Sequence, residues 1–341
     1  MGNDLQPGAA PPDAPKETPR LRRSPWIGIL QIVVSAAILI WLLSKVGLRD
    51  VVTVLSSLHP GLYALAGVVF LVSIGIRAIR WYLFLTPLGV KVPPLELFWL
   101  YLVGFFWNSF LPSGFGGDVV KAIALRDSTG RGGASVTSVL AERLIGLLGT
   151  ALLGAAIIPF APALFPQEAT IIVVGMCVAL AAGIWVVRLD ILEQIGKRLP
   201  ALRRVVGHRW IVSTQSAIRM YDLKALGIGL LSTIPFTLCT ILDNYLVGLA
   251  LGIDLSILYY ALYTPIISIL CLIPLSFNGL GVREYTYQVL FGMVGVPPEQ
   301  AIAMALAFNI LRFGAGLLGG LVSVAGGFRR LAMPVGDSSH E

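Results

Sequence analysis

Residues 103–126, VGFFWNSFLPSGFGGDVVKAIALR, and residues 266–284, IISILCLIPLSFNGLGVRE, decide the fold. In each, an apolar run stops at a proline, passes through a Gly-rich turn and resumes as a helix that carries charge. The first break holds Pro112, Gly114, Gly116 and Gly117; the second holds Pro274, Gly279 and Gly281. Aligning Pro112 with Pro274 puts Gly117 on Gly279 and Lys121 on Arg283. In hydrocarbon, non-helical backbone leaves amides and carbonyls without partners, so it persists only where protein buries it or where it lines a water-filled cavity. The alternative is a pair of tight turns between ordinary helices near the membrane surface. Neither break is a nucleotide-binding loop, since there is no GxxxxGK[ST] and no strand precedes the glycines.

The surrounding composition places both breaks in a membrane. The 341 residues are 56% hydrophobic and 13% charged, against about 25% charged for a soluble domain, and the mean hydropathy is +0.84. This excludes a soluble enzyme. The net charge of +7 bears on which loops face an anionic leaflet rather than on nucleic acid. Cys177, Cys239 and Cys271 lie in apolar stretches, and His59, His208 and His340 are scattered, so neither disulfide nor metal spacing is present and no cofactor is expected.

Outward from the breaks, charge-free runs predict helices over Trp26–Ser44, Gly61–Leu85, Leu95–Phe110, Val119–Arg126, Ala134–Phe160, Ala169–Val187, Ala225–Leu251, Leu255–Ile273, a segment from Val282, and Glu299–Phe328. Residues 1–24 read as a disordered cytoplasmic tail rather than a signal peptide, 25–331 as the membrane domain and 332–341 as a second tail. Residues 188–224 form a basic cytoplasmic connection, either a surface helix on the leaflet or a plain loop. If the two broken segments are re-entrant hairpins, six full spans remain. Lys16, Arg20, Arg22 and Arg23, the cations of the 188–224 connection, and Arg329 and Arg330 then fall on one side, which the positive-inside rule makes cytoplasmic. Lys45 and Arg49, in the loop after the first span, depart from the rule. Residues 61–160 and 225–328 become inverted repeats about an axis in the membrane plane, an arrangement that puts a binding site at the repeat interface. The expected fold is therefore an all-α polytopic membrane protein of six full spans and two broken hairpins.

Ten ionisable residues fall within these spans: Arg77, Arg80, Lys121, Arg143, Arg283 and Arg312 against Asp118, Glu142, Asp243 and Glu284. Such groups are costly in a bilayer and mark a pathway. Their positive excess points to an anionic passenger, and a phosphate held by Arg forks and helix-start amides would suit both the charge and the breaks. Arg283 at a helix start opposes the helix dipole and calls for an anion or carboxylate beside it. Each residue also has a plain structural reading. Arg77 and Arg80 could snorkel to the headgroups, Glu142 could pair with a neighbouring cation, and Asp118 could cap the helix from Val119. Asp243 and Asn244 form either a proton or cation site or an interhelical hydrogen bond.

The segments FLPSGFGGDVVKAIAL, SVLAERLIGL and IPLSFNGLGVREYTY (residues 110–125, 138–147 and 273–287) together resemble the lysylphosphatidylglycerol synthetase transmembrane family, the flippase-type membrane domain of the multiple peptide resistance factor. The resemblance runs from about Trp26 to Phe328. It puts the family's Gly-Gly-Asp motif on Gly116, Gly117 and Asp118, its Glu-Arg pair on Glu142 and Arg143, and its Gly-x-Arg-Glu motif on Gly281, Arg283 and Glu284. Lys121 stands where Arg is expected, keeping the charge without the bidentate fork. A synthetase domain is not present in the sequence, so synthesis of lysylphosphatidylglycerol is not expected.

The resemblance implies a flippase or scramblase of the cell (inner) membrane that moves an anionic phospholipid or polyprenyl-phosphate-linked head group between leaflets. The expected substrate-binding residues are Arg283, Glu284, Arg143, Glu142, Asp118, Lys121, Arg312, Asn278 and Arg80, with Asp243 and Asn244 as the coupling pair. No catalytic residue and no nucleic-acid partner is expected. A homo-oligomer is compatible with this reading. The two rival classes are an intramembrane lipid-phosphate transferase and a membrane partner subunit of a separate lipid-modifying enzyme.

Overall fold

A computed structural model describes residues 25–111, 116–160, 167–188, 219–271 and 276–324. The predicted breaks at Pro112, Gly114 and Pro274, both tails and most of the basic connection (189–218) lie outside the described residues. Among those described there is no strand. The described residues form twelve α-helices: α1 Pro25–Val46, α2 Leu48–Ser56, α3 Pro60–Leu85, α4 Pro94–Asn108, α5 Gly116–Thr129, α6 Gly132–Ile157, α7 Gln167–Arg188, α8 Leu223–Leu231, α9 Thr233–Ala250, α10 Ile257–Leu270, α11 Val282–Gly292 and α12 Pro298–Val324.

Local chemistry sets many of these boundaries. The α3 helix starts on Pro60, whose missing amide hydrogen loses nothing at a helix start, and the His59 imidazole accepts from the Leu62 amide at 3.3 Å. Asp222 caps α8 by accepting from the Ala225 amide at 2.7 Å. The segment carrying Lys45 and Arg49, expected as a loop, is instead helical through α2. The chain bends by 85° between α1 and α2 at Gly47, whose φ of 98° is open to glycine and disfavoured for other residues. The run 225–251, read as one helix, is divided at Ser232 into α8 and α9.

Among the described residues four helical stretches are long and apolar enough to cross a membrane: Pro60–Leu88, Gly132–Phe160, Leu223–Ala250 (α8 and α9 together) and Pro298–Ser323. The bent α1–α2 pair makes a fifth, and the apolar stretches Thr170–Trp185 and Ile257–Leu270 are shorter. The molecule is apolar outside and charged within. Leu30, Ile40, Val68, Leu231 and Leu321 are exposed, whereas Arg80, Lys121, Glu142, Asp243, Arg283 and Glu284 are buried. That inversion suits a lipid solvent, to which an exposed Leu is matched and a charge is not.

The arms of the first break fold back on one another. Gly117 on α5 meets Gly104 on α4 so closely that a Cβ on Gly117 would overlap the Gly104 carbonyl oxygen, and the Gly117 amide donates to Asn108 Oδ1 at 2.7 Å. The helices pair as α3 with α9, α4 with α12 and α6 with α10. Small residues permit the closest approaches: Gly319 of α12 lies against the Leu102 carbonyl of α4, and Gly154 of α6 against Pro265 of α10.

Candidate functional site

Where α3, α4, α5, α6, α9, α10, α11 and α12 converge, they enclose a cavity of about 260 Å³. Every cation singled out within the spans lines it: Arg77 and Arg80 from α3, Lys121 from α5, Arg143 from α6, Arg283 from α11 and Arg312 from α12. Asp118, Glu142, Asn244, Asn278 and Gly117 line it as well, with Asn108, Tyr101, Tyr287, Phe236, Thr264 and Ser268. The two breaks thus meet on one chamber, although they are about 160 residues apart in the chain.

The first bank of charge is internally paired. Arg80 donates to the Glu142 carboxylate, an ion pair in which both side chains are under 5% exposed, and it approaches Thr233 Oγ1 at 3.4 Å. Asp118 receives Lys121 Nζ at 2.9 Å and the Arg143 guanidinium. Lys121 Nζ also lies 3.9 Å from the centroid of the Tyr101 ring. Arg80 therefore does not snorkel to the headgroups. Asp118 does not cap α5 either, because the helix has already begun at Gly116 and the carboxylate is turned to the two cations.

The second bank is held by amides. Arg283 donates to Asn309 Oδ1 at 2.9 Å, and Asn309 Nδ2 donates to Glu284 Oε1 at 2.7 Å. Glu284 Oε2 in turn accepts from the Gly281 amide at 2.6 Å, fastening the start of α11 to α12. Glu284 is fully buried and stands behind the cavity wall rather than on it. The demand for a carboxylate near Arg283 is thus met at one remove, through Asn309. Arg312 reaches Asn278 Oδ1 at 3.5 Å. Asn278 has φ 51°, and Gly279 and Gly281 have φ 81° and 82°. These left-handed turns drive the chain through the second break and bring Asn278 to the cavity.

Asp243 and Asn244 separate. Asn244 lines the cavity and accepts from the Tyr287 hydroxyl. Asp243 is 1% exposed and is not part of the cavity lining, and neither of its oxygens has a hydrogen-bond partner among the described residues.

Sequence reasoning missed several wall residues. Arg77, one of the ten ionisable groups but not one of the expected binding residues, has its guanidinium 5.0 Å from Tyr101 and 5.1 Å from Phe236, measured to the ring centroids. Asn309, which joins Arg283 to Glu284 behind the wall, was not among the expected site residues either. Tyr101, Asn108 and Tyr287 carried a usable signal, being polar groups at the ends or in the middle of apolar runs.

A chamber lined by six cations between apolar helices defines the class: a multi-pass helical membrane protein with an internal polar cavity. The family model for the lysylphosphatidylglycerol synthase TM region matches residues 28–320, and the chain belongs to this family. A comparison with curated proteins finds no match.

Proposed function

We propose that this protein is a lipid flippase or scramblase of the cell (inner) membrane. An anionic lipid head group enters the cavity while its hydrocarbon tails remain in the bilayer, and no covalent bond is made or broken. The single observation that carries this reading is the gathering of six cations against two carboxylates on the walls of one intramembrane cavity. Family membership supports a lipid-related role.

The packing pattern supports the inverted repeat. Taking α3–α6 as one unit and α9–α12 as the other, the observed contacts α4 with α12 and α6 with α10 exchange under a two-fold operation, and α3 with α9 maps onto itself. Lys121 and Arg283, equivalent in the motif alignment, both face the cavity. In this reading the two breaks are re-entrant hairpins, six spans cross fully, both termini are cytoplasmic, and the halves rock about the shared site. Asp243 is the proposed coupling group: it lies near Tyr63, Tyr287 and Cys239 and, through its neighbour Asn244, next to the cavity.

The test is flipping of a fluorophore-labelled anionic lipid in proteoliposomes, read by an impermeant quencher, with mass spectrometry of the same lipid. Label should become accessible faster than in protein-free vesicles, Arg283→Ala should abolish the gain, and the lipid mass should not change. A changed mass would move the protein to the transferase class, and unchanged flipping in Arg283→Ala would remove the cavity from the pathway.

A further inference from the structure

The charge of the cavity defines its ligand more narrowly than "anionic lipid". Beyond the two carboxylates on the wall, two more lie near it: Glu284, which reaches Arg283 through Asn309, and Asp243, near the wall residue Tyr287. With all four ionised, the six cations still hold two positive charges without a counter-charge. The break residues 112–115 and 272–275 contain no Asp, Glu, Lys or Arg, so they leave this balance unchanged.

Asp118 stands between Lys121 and Arg143, but aromatic rings, not carboxylates, stand between Arg77 and its neighbouring cations. Arg77 and Lys121 share the Tyr101 ring, at 5.0 and 3.9 Å from its centroid. Arg77 and Arg312 share Phe105, at 6.0 and 5.8 Å. A ring attracts a cation through its quadrupole but carries no net charge. It spaces the positive groups within a compact cluster without neutralising them. Arg77, Arg283 and Arg312 form no ion pair among the described residues. The Arg77 guanidinium is flanked by the rings of Tyr101, Phe105 and Phe236, and a guanidinium fork is matched by the oxygens of a phosphate.

We infer that the cavity takes a compact dianionic phosphate, either a terminal phosphomonoester or a diphosphate, in preference to the single negative charge of an ordinary phospholipid diester. The inference rests on the transport reading only in taking the phosphate to be a lipid head group. A phosphomonoester carries close to two charges at neutral pH and three terminal oxygens, which matches both the residual charge and the guanidiniums of Arg77, Arg283 and Arg312, none in an ion pair among the described residues. The diester offers one charge and two such oxygens. At about 260 Å³ the chamber holds a head group and leaves the hydrocarbon tails outside.

The test uses the purified full chain in detergent with radiolabelled farnesyl diphosphate as probe. The competitors are short-chain phosphatidic acid, short-chain phosphatidylglycerol, short-chain cardiolipin and inorganic diphosphate. At about pH 8, phosphatidic acid should displace the probe at about tenfold lower concentration than phosphatidylglycerol. That advantage should disappear by about pH 5, below the second phosphate pKa of about 6, while farnesyl diphosphate still outcompetes phosphatidylglycerol. Arg312→Gln should shrink the advantage. Should that variant not fold, the competitor order of the unaltered protein still decides.

Equal displacement by phosphatidylglycerol, a lead for cardiolipin with its two separated diesters, or failure of the probe to bind would each overturn the inference. Inorganic diphosphate competing as well as the prenyl compound would support the dianion site and assign it to free phosphate rather than lipid. Dianion preference without flipping would leave this site standing and remove the transport reading, and flipping without dianion preference would do the reverse.

Discussion

Arg80 and Glu142 sit on facing turns of α3 and α6, each closed off from solvent, and each needs the other. Removing one partner of a buried pair leaves a charge that neither water nor protein satisfies. Glu142→Gln should therefore destabilise the protein by about 3 kcal/mol, read as a lower denaturation midpoint in detergent. The double variant Arg80→Gln/Glu142→Gln should recover part of that loss, and a silent single variant would mean that water already reaches the pair. Asp243 is the opposite case, a buried carboxylate with no hydrogen-bond partner among the described residues. Asp243→Asn should fold and flip lipid but lose dependence on a pH gradient, and unchanged dependence would end its coupling role. At this scale the sequence exposed the residue types and not their pairings. That Asp118 serves Lys121 and Arg143 instead of capping α5, and that Glu284 acts through Asn309, depend on where separate helices meet.

Helix boundaries were legible to within a few residues, because charge-free runs bounded by proline, glycine and caps are local features. The helix after the bend at Gly47 was not, because Lys45, Arg49 and Asp50 make that stretch read as a loop, and the division at Ser232 was not, because the run around it stays apolar. Contacts between elements depend on backbone proximity that composition does not record. A Cβ on Gly319 of α12 would overlap the Leu102 carbonyl oxygen of α4, whereas one on Gly314 of the same helix would meet nothing within 4 Å. An overlap with backbone cannot be relieved by a side-chain rotation. Gly319→Ala should therefore push α4 and α12 apart, lowering both the denaturation midpoint and flipping, and Gly314→Ala should leave both unchanged. Equal behaviour of the two variants would show that this crossing does not support the cavity.

Across the whole molecule, the proposed orientation puts Lys16 and Arg330 on the cytoplasmic side and Asp254 outside. In a background without Cys177, Cys239 and Cys271, an impermeant maleimide added to intact cells should label Asp254→Cys, while Lys16→Cys and Arg330→Cys should react only after lysis. Labelling of either terminal position in intact cells would break the inverted-repeat topology. The sequence by itself determined that the chain is a helical membrane protein, that its helices are interrupted at two Gly-rich breaks, and that its intramembrane charge is predominantly positive. Hydropathy and backbone propensity act over a few residues and are written locally. Only the tertiary structure decided that cations from α3, α5, α6, α11 and α12 share one chamber, which of them pair, and that aromatic rings separate the rest. Those outcomes depend on the crossing of helices far apart in the chain, where electrostatic energy is set by distance and burial rather than by order along the sequence.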